Sequence, residues 1–165
     1  MIIQLANTEH LTAIYDLYKK VASTPGFLAR LEDEINLEYI TENIKASLEN
    51  GLCLIAIENF EIIAEIHGYS AGIYCFSHVI GNITIAVDPN FQGDGIGRKL
   101  FSEFIEQIKA NLPQISRLEL MVRESNSRAI RMYQSLGFEI EGELRNRILN
   151  KDKTKESDLI LGLVF

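Results

Sequence analysis

A chain of 165 residues with 47% hydrophobic residues and a formal net charge of −7 is long enough to bury roughly 68–70% of its unfolded surface around one core, so a single domain over residues 1–165 is expected without any disulfide or metal staple. The acids are concentrated: residues 1–65 hold 11 acids against four bases, whereas the remaining hundred hold 12 of each. That distribution argues against nucleic acid as a partner, which wants a basic face, and mildly favours a cationic acceptor such as an amine. Cys53 and Cys75 lie in apolar runs and read as small buried side chains in a reducing compartment. His10, His67 and His78 are scattered and no CxxC occurs, so no metal is expected. The N-terminus has no basic n-region or long apolar h-region, and no apolar run approaches the ~18 residues of a membrane span. A soluble, cytoplasmic protein without membrane attachment is the expectation.

In chain order, Ile2 to Leu5 is a short apolar strand, and Asn7-Thr8 caps a helix to about Ala22 with Leu11, Ile14, Tyr15, Tyr18 and Val21 on one stripe. Ser23-Thr24-Pro25-Gly26 breaks it, and Phe27 to Ile35 stays ambiguous. Asn36 caps a second helix to about Glu49, which Asn50-Gly51 ends. The period then changes to two: Leu52 to Glu58 and Ile62 to Ser70 read as a hairpin, Ala71 to Ser77 carries no assignment, and Val79 to Val87 is a β-branched strand. Gly97 to Asn111 has helical spacing and stops before Pro113. Arg117 to Arg123 is a strand, Asn126 to Leu136 a helix, and Gly137 to Leu149 and Ser157 to Phe165 a closing pair of strands. Strands and helices interleaved in this way predict a mixed α/β sheet.

Val87 to Leu100 reads V-D-P-N-F-Q-G-D-G-I-G-R-K-L, a strand-to-helix turn containing Gly93, Gly95 and Gly97. Glycines there admit positive φ and close backbone approach, and the first N–H groups of the helix have no internal partner, which is the recipe for an anion site. A Walker A loop is excluded because Arg98 and Lys99 follow Gly97. A dinucleotide fingerprint is excluded because Arg98 stands where its third glycine belongs and Leu112-Pro113-Gln114 where its acid belongs. The match that remains is Q-x-x-G-x-G, as Gln92, Gly95 and Gly97. Further on, Ser125 to Phe138 contains N-x-x-A-x-x-x-Y-x-x-x-G-F, with Asn126, Ala129 and Tyr133 spaced to share one helix face.

Together and in this order the two motifs resemble the GNAT N-acetyltransferase superfamily. The resemblance implies the acyl-CoA N-acyltransferase fold, a central, mixed, mostly antiparallel sheet flanked by helices (α/β in interleaving, α+β in class). It also implies acetyl-CoA as cosubstrate, with Gln92, Gly93, Asp94, Gly95, Ile96, Gly97 and Arg98 as its pyrophosphate loop. Val87 would pair with the pantetheine, Ile85 would supply an N–H to the thioester oxygen, Asn126 would contact the pantetheine arm, and Tyr133 would protonate the departing thiolate. The expected reaction is direct attack of a primary amine of a small molecule, amino acid or protein N-terminus on the thioester, much of the gain being proximity.

The acceptor side departs from the family pattern. Gly81-Asn82-Ile83 holds no acid where many members carry a Glu, so the base is sought elsewhere, at Glu65 first, with His67 or His78 as the alternatives. Glu65, His67 and Tyr69 alternate along one strand and share a face, and His78 begins the neighbouring strand. Polar residues in a row on an interior strand are costly unless they serve something. The expectation is therefore an acceptor pocket lined by Glu65, His67, Tyr69 and His78, with Glu65 as base. The alternative is a solvent-facing stripe. At the level of function the competing reading is a non-catalytic acyl-CoA-binding sensor, which Tyr133 argues against and the missing strand acid leaves open. A homodimer through the C-terminal strands is neither required nor excluded.

Overall fold

Periodicity and capping divide the chain as expected, and a computed structural model describes the result for residues 1–24 and 26–165; Pro25, part of the predicted helix break, lies outside the described residues. The strands are β1 (Ile2–Leu5), β2 (Gly51–Glu58), β3 (Glu61–Tyr69), β4 (Val79–Val87), β5 (Arg117–Arg123), β6 (Glu139–Leu149) and β7 (Lys155–Val164). The α-helices are α1 (Leu11–Ala22), α2 (Leu37–Asn50), α3 (Ile96–Asn111) and α4 (Ser127–Ser135). Asn36 caps α2 as predicted, its Oδ1 accepting from the Tyr39 N–H at 2.8 Å. Asn7 instead caps one 3₁₀ turn, Thr8–His10, and α1 proper starts at Leu11. The ambiguous stretch before α2 is largely turns and bends with a 3₁₀ turn at Glu32–Glu34, and the unassigned stretch before β4 holds another at Tyr74–Phe76. The β2–β3 hairpin closes through Asn59 and Phe60 at φ 50° and 69°, positive values of the kind that match the twist of a two-residue hairpin.

The seven strands form one sheet in the order β1-β2-β3-β4-β5-β7-β6, antiparallel throughout except for β4 against β5. Two apolar layers cover it. The α1/α2 face buries Ile14, Leu17, Tyr18, Val21, Ile40 and Ile44 over Cys53, Ile55 and Ala86. The opposite face buries Leu100, Phe101, Phe104 and Ile108 of α3 over Leu54, Ile66, Ile80 and Leu118. Alternation in β2 and β3 divides each strand between the layers, because successive side chains point to opposite faces.

The feature that positions a site is the incomplete pairing of β4 with β5. Only Val79↔Arg117 and Ile80↔Leu118 are partners; beyond them the strands separate. The β3–β4 register jumps between His67↔Thr84 and Tyr69↔Gly81, an extra residue in β4, and Asn82 there sits at φ 49°. A bulge bends its strand and raises its twist, which turns the C-terminal half of β4 away from β5. The Asp88 N–H points the other way, to the Ile63 carbonyl at 2.9 Å. By alternation along the strand, the Ile85 and Val87 N–H groups therefore face the opening.

Candidate active site

Where β4 and β5 part, a cavity of about 440 Å³ opens beside the glycine turn. Of the residues assigned to coenzyme binding from sequence, Ile85, Val87, Gln92, Gly93, Gly95, Ile96, Gly97, Arg98 and Asn126 line it, and Tyr133 does too. Asp94 does not; it is exposed. Gly95 caps α3 at φ 77° and Gly93 sits at φ 109°, and a β-carbon at either would meet nothing within 4 Å. The turn therefore presents bare backbone to open space at the N-terminus of a 16-residue helix, where unpaired N–H groups and the helix dipole favour an anion. Gly97 is tighter, since a β-carbon there would come within 3.5 Å of Val87 and 3.9 Å of Ile85. Gln92 ties the loop back to the strand, its Nε2 donating to the Val87 carbonyl at 3.2 Å.

Three cations stand around this cavity: Arg98, Arg128 and Arg131. Arg98 is held by a hydrogen bond from Nη1 to the Ser135 hydroxyl at 2.7 Å. Arg128 and Arg131 escaped the sequence reading, although their three-residue spacing on a helix places them on neighbouring positions of one face. Planar guanidinium groups beside an N-terminal anion nest suit phosphate oxygens. Asn126 is the N-cap of α4 rather than its first turn. Its Oδ1 accepts from the Ala129 N–H at 3.1 Å, which leaves its amide N–H groups free to reach into the cavity.

A second cavity, about 430 Å³, adjoins the first, and Phe27, Ile85, Asn126 and Tyr133 line both. Its other walls are the α1–α2 connection (Leu28, Ala29), β4 (Ile83, Thr84), β5 (Met121, Val122, Arg123), β6 (Arg147, Ile148, Leu149) and Asp158 of β7. Tyr133 is 8% exposed and packs edge-on against Phe101 with ring centroids 5.4 Å apart. Burial pushes its phenol up to about 12, so it is a protonated donor at neutral pH.

None of the four residues proposed for the acceptor pocket lines either cavity. Glu65 and His67 are 0% and 1% exposed on the face covered by α1 and α2. The Glu65 carboxylate accepts from the Tyr18 hydroxyl at 2.6 Å and the Cys53 thiol at 3.1 Å, and His67 Nδ1 lies 3.0 Å from it. Burial and the facing carboxylate push the Tyr18 phenol and the Cys53 thiol well up, so both stay donors. Tyr69 donates to Asn43 Oδ1 on α2 at 3.0 Å. The stripe does share a face, as read, but that face is neither solvent nor pocket. It is a satisfied polar cluster under the helices. His78 lies exposed at the opposite end of β4 from Ile85, roughly 20 Å away by strand rise.

The charged groups that do face the second cavity are Arg123, Arg147 and Asp158. Arg123 Nη1 donates to Glu156 at 2.6 Å and Asn150 at 2.8 Å, while its buried Nε has no partner among the described residues. Glu156 is held below the usual carboxylate range by Ser125 and Arg123, whereas burial raises Asp158 despite the neighbouring arginines.

Comparison with known proteins agrees with this architecture. A model of the acetyltransferase (GNAT) family matches residues 11–138. The chain belongs to that family. Among GNAT relatives of known activity, the ribosomal protein bS18-alanine N-acetyltransferase of Escherichia coli is 37% identical over 79 residues, 48% of this chain and 51% of that protein. The spermine/spermidine N(1)-acetyltransferase of Bacillus subtilis is 40% identical over 58 residues, 35% of this chain and 38% of that protein. The chain thus spans about half, or less, of the length of these curated relatives. A GNAT acetyltransferase from Streptococcus pneumoniae superposes with a TM-score of 0.90 at 20% identity, covering 99% of both chains. A phosphinothricin acetyltransferase from Sinorhizobium meliloti in complex with acetyl-CoA superposes at 0.85 with 15% identity, over 99% of this chain and 88% of that one. These likenesses establish the fold. No helix among the described residues is long and apolar enough to cross a membrane.

Proposed function

We propose that the protein is an acetyl-CoA-dependent N-acetyltransferase acting on a primary amine of a small molecule, an amino acid or a protein N-terminus. The observation that carries this reading is the meeting of two cavities at Ile85, Asn126 and Tyr133. One suits a phosphorylated, extended ligand. The other is a separate chamber opening on the same junction, which a sensor that only held acyl-CoA would not need.

Acetyl-CoA supplies an activated acyl group: the amine nitrogen forms a C–N bond to the acetyl carbon as the C–S bond breaks, giving the amide, the free thiol and one proton from the acceptor ammonium. The chain's residues divide the remaining tasks. The glycine turn, the α3 N-terminus and Arg98, Arg128 and Arg131 bind phosphate oxygens. The Ile85 N–H, pre-aimed into the opening, donates where negative charge grows on oxygen, and a fixed donor is worth more there than in the ground state. Tyr133, neutral and buried, gives its proton to the leaving sulfur. Convergence of both ligands on one junction supplies orientation. Relatives that act on the N-terminal alanine of a ribosomal protein and on polyamines support an amine acceptor.

A thiol-release assay with acetyl-CoA and a panel of amines, amino acids and N-terminal peptides tests the proposal. Turnover with any acceptor supports it. Tight binding of acetyl-CoA without turnover across the panel overturns it in favour of a sensor, and absence of binding removes both readings.

A further inference from the structure

The charge on the walls of the second cavity is specific in kind. Its lining contains two arginines and one aspartate, all on the β5–β7–β6 side, and no other charged side chain. The acids concentrated in the N-terminal third of the chain do not reach it, since the α1–α2 connection contributes only Gly26, Phe27, Leu28 and Ala29. The bias toward a cationic acceptor that the sequence suggested is therefore not carried into the pocket.

The three groups are held close by the strand register. Arg123 and Asp158 are direct partners across β5 and β7. Arg147 is brought in by an irregularity: the β6–β7 register jumps from Leu144↔Asp158 to Ile148↔Glu156, with two extra residues in β6 and Asn146 at φ 53°. A bulge of this kind re-aims a side chain, here Arg147, whose Nη1 reaches Asp158 Oδ2 at 3.3 Å and the Met121 sulfur. Arg123 is already neutralised by Glu156. Arg147 is not saturated: its side chain keeps 46% of its exposure and shares one nitrogen with a carboxylate at the long end of hydrogen-bond range. Arg147 lines the cavity, and its Nε and Nη2 have no hydrogen-bond partner among the described residues, which leaves a guanidinium edge available to a ligand. Beside these charges, apolar Phe27, Leu28, Ile83, Val122 and Leu149 share the walls with the polar Thr84, Asn126 and Tyr133.

From this arrangement, and resting on the N-acetyltransferase reading, we propose that the acceptor is a free α-amino acid with an apolar side chain, its carboxylate gripped by the Arg147 guanidinium and its ammonium directed by Asp158. Adjacent opposite charges complement a zwitterion. A polyamine would leave the Arg147 guanidinium facing a like charge, and a peptide N-terminus would lack the carboxylate that a guanidinium receives.

The test compares acceptors that share an amine and a side chain but differ in the carboxylate: L-leucine, L-leucinamide and 3-methylbutylamine, then L-phenylalanine and 2-phenylethylamine, with spermidine and a short alanine-initiated peptide alongside. The expected result is a kcat/KM for an acid about 10- to 100-fold above its amide and amine, the range of a charged hydrogen bond. Arg147→Gln should collapse the ratio of acid to matched amine toward one, through KM for the acid, Arg147→Lys should restore part of it, and Asp158→Asn should raise KM for acid and amine alike. Arg147 lies on an irregular, half-exposed stretch, so folding is not at risk, and circular dichroism verifies it. Spermidine, the peptide or a carboxylate-free analogue turning over as well as the matched amino acid overturns this inference and leaves the N-acetyltransferase reading standing. Thiol release from none of them, with acetyl-CoA bound, overturns both.

Discussion

Glu65→Gln distinguishes a catalytic carboxylate from a structural one, and its hydrogen bonds set the expected size of the effect. Both oxygens are engaged: Oε2 by the Tyr18 hydroxyl at 2.6 Å, Oε1 by the Cys53 thiol at 3.1 Å and by His67 Nδ1 at 3.0 Å. A glutamine puts an NH₂ where one oxygen accepted, so at least one donor then faces another donor at a site with 0% exposure. Tyr18 can turn its hydroxyl to His67 Nδ1, 3.3 Å away, with the imidazole in its other tautomer, which moderates the loss. A buried polar group left unsatisfied costs about 1–3 kcal/mol, and for a chain of this length each kcal/mol moves Tm by about 2–4 °C, so a fall of roughly 2–12 °C is expected. Calorimetry measures that shift. Steady-state kinetics well below Tm measures the acceptor kcat/KM across pH, expected to keep its shape with kcat within about twofold. An unchanged Tm together with a kcat reduced about a hundredfold and a lost acidic limb, the size expected of a general base, would refute the placement of Glu65 outside the chemistry.

Tyr133→Phe should lower kcat by about 10²–10⁴ with little change in the Kd of acetyl-CoA, as for removal of a general acid, and rapid-mixing single turnovers report it. Because burial raises the Tyr133 phenol to about 12, the folded state holds this proton more tightly than the unfolded chain. Its contribution to stability is complete below about pH 10 and is lost as pH rises toward 12, so no alkaline fall in kcat between pH 7 and 10 should come from this group. Gly95→Ala places a β-carbon at φ 77°, costing about 1–2 kcal/mol of fold stability and filling space beside the helix N-terminus. Calorimetric titration should find weaker acetyl-CoA binding with kcat at saturation little altered. Lys20→Met removes the contact from α1 to Asp88 Oδ2 at 2.5 Å. With Lys20 half exposed, about 1 kcal/mol is expected by urea unfolding, with a raised KM for acetyl-CoA because Asp88 also holds the Asn90 N–H at the head of the glycine turn.

The elements and the donor side of the site are local in origin, which is why they were legible. Asn36 and Gly51 bound α2, the two-residue period of Leu52–Glu58 makes a strand whatever lies beyond it, and a glycine turn followed by a helix carries its own dipole and free N–H groups. Charge and polarity were less transferable. The Glu65, His67, Tyr69 alternation correctly put three polar side chains on one face, but which layer covers that face depends on α1 and α2 folding back over β3. His78 directly precedes β4, yet strand length carries it to the opposite end of β4 from Ile85.

The sequence by itself determined the succession of strands and helices, the glycine turn at Gly93 to Gly97, and the helix that carries Asn126 and Tyr133, because capping, period and backbone freedom act over a few residues. Only the tertiary structure decided what faces what. The Asn82 bulge opens β4 from β5 and exposes the Ile85 N–H; the Asn146 irregularity brings Arg147 beside Asp158, and the β5–β7 register sets Asp158 beside Arg123; α1 and α2 seal Glu65 away. These depend on strand register and on helices folding back over the sheet, and both are fixed by the packing of whole faces rather than by any short stretch of residues.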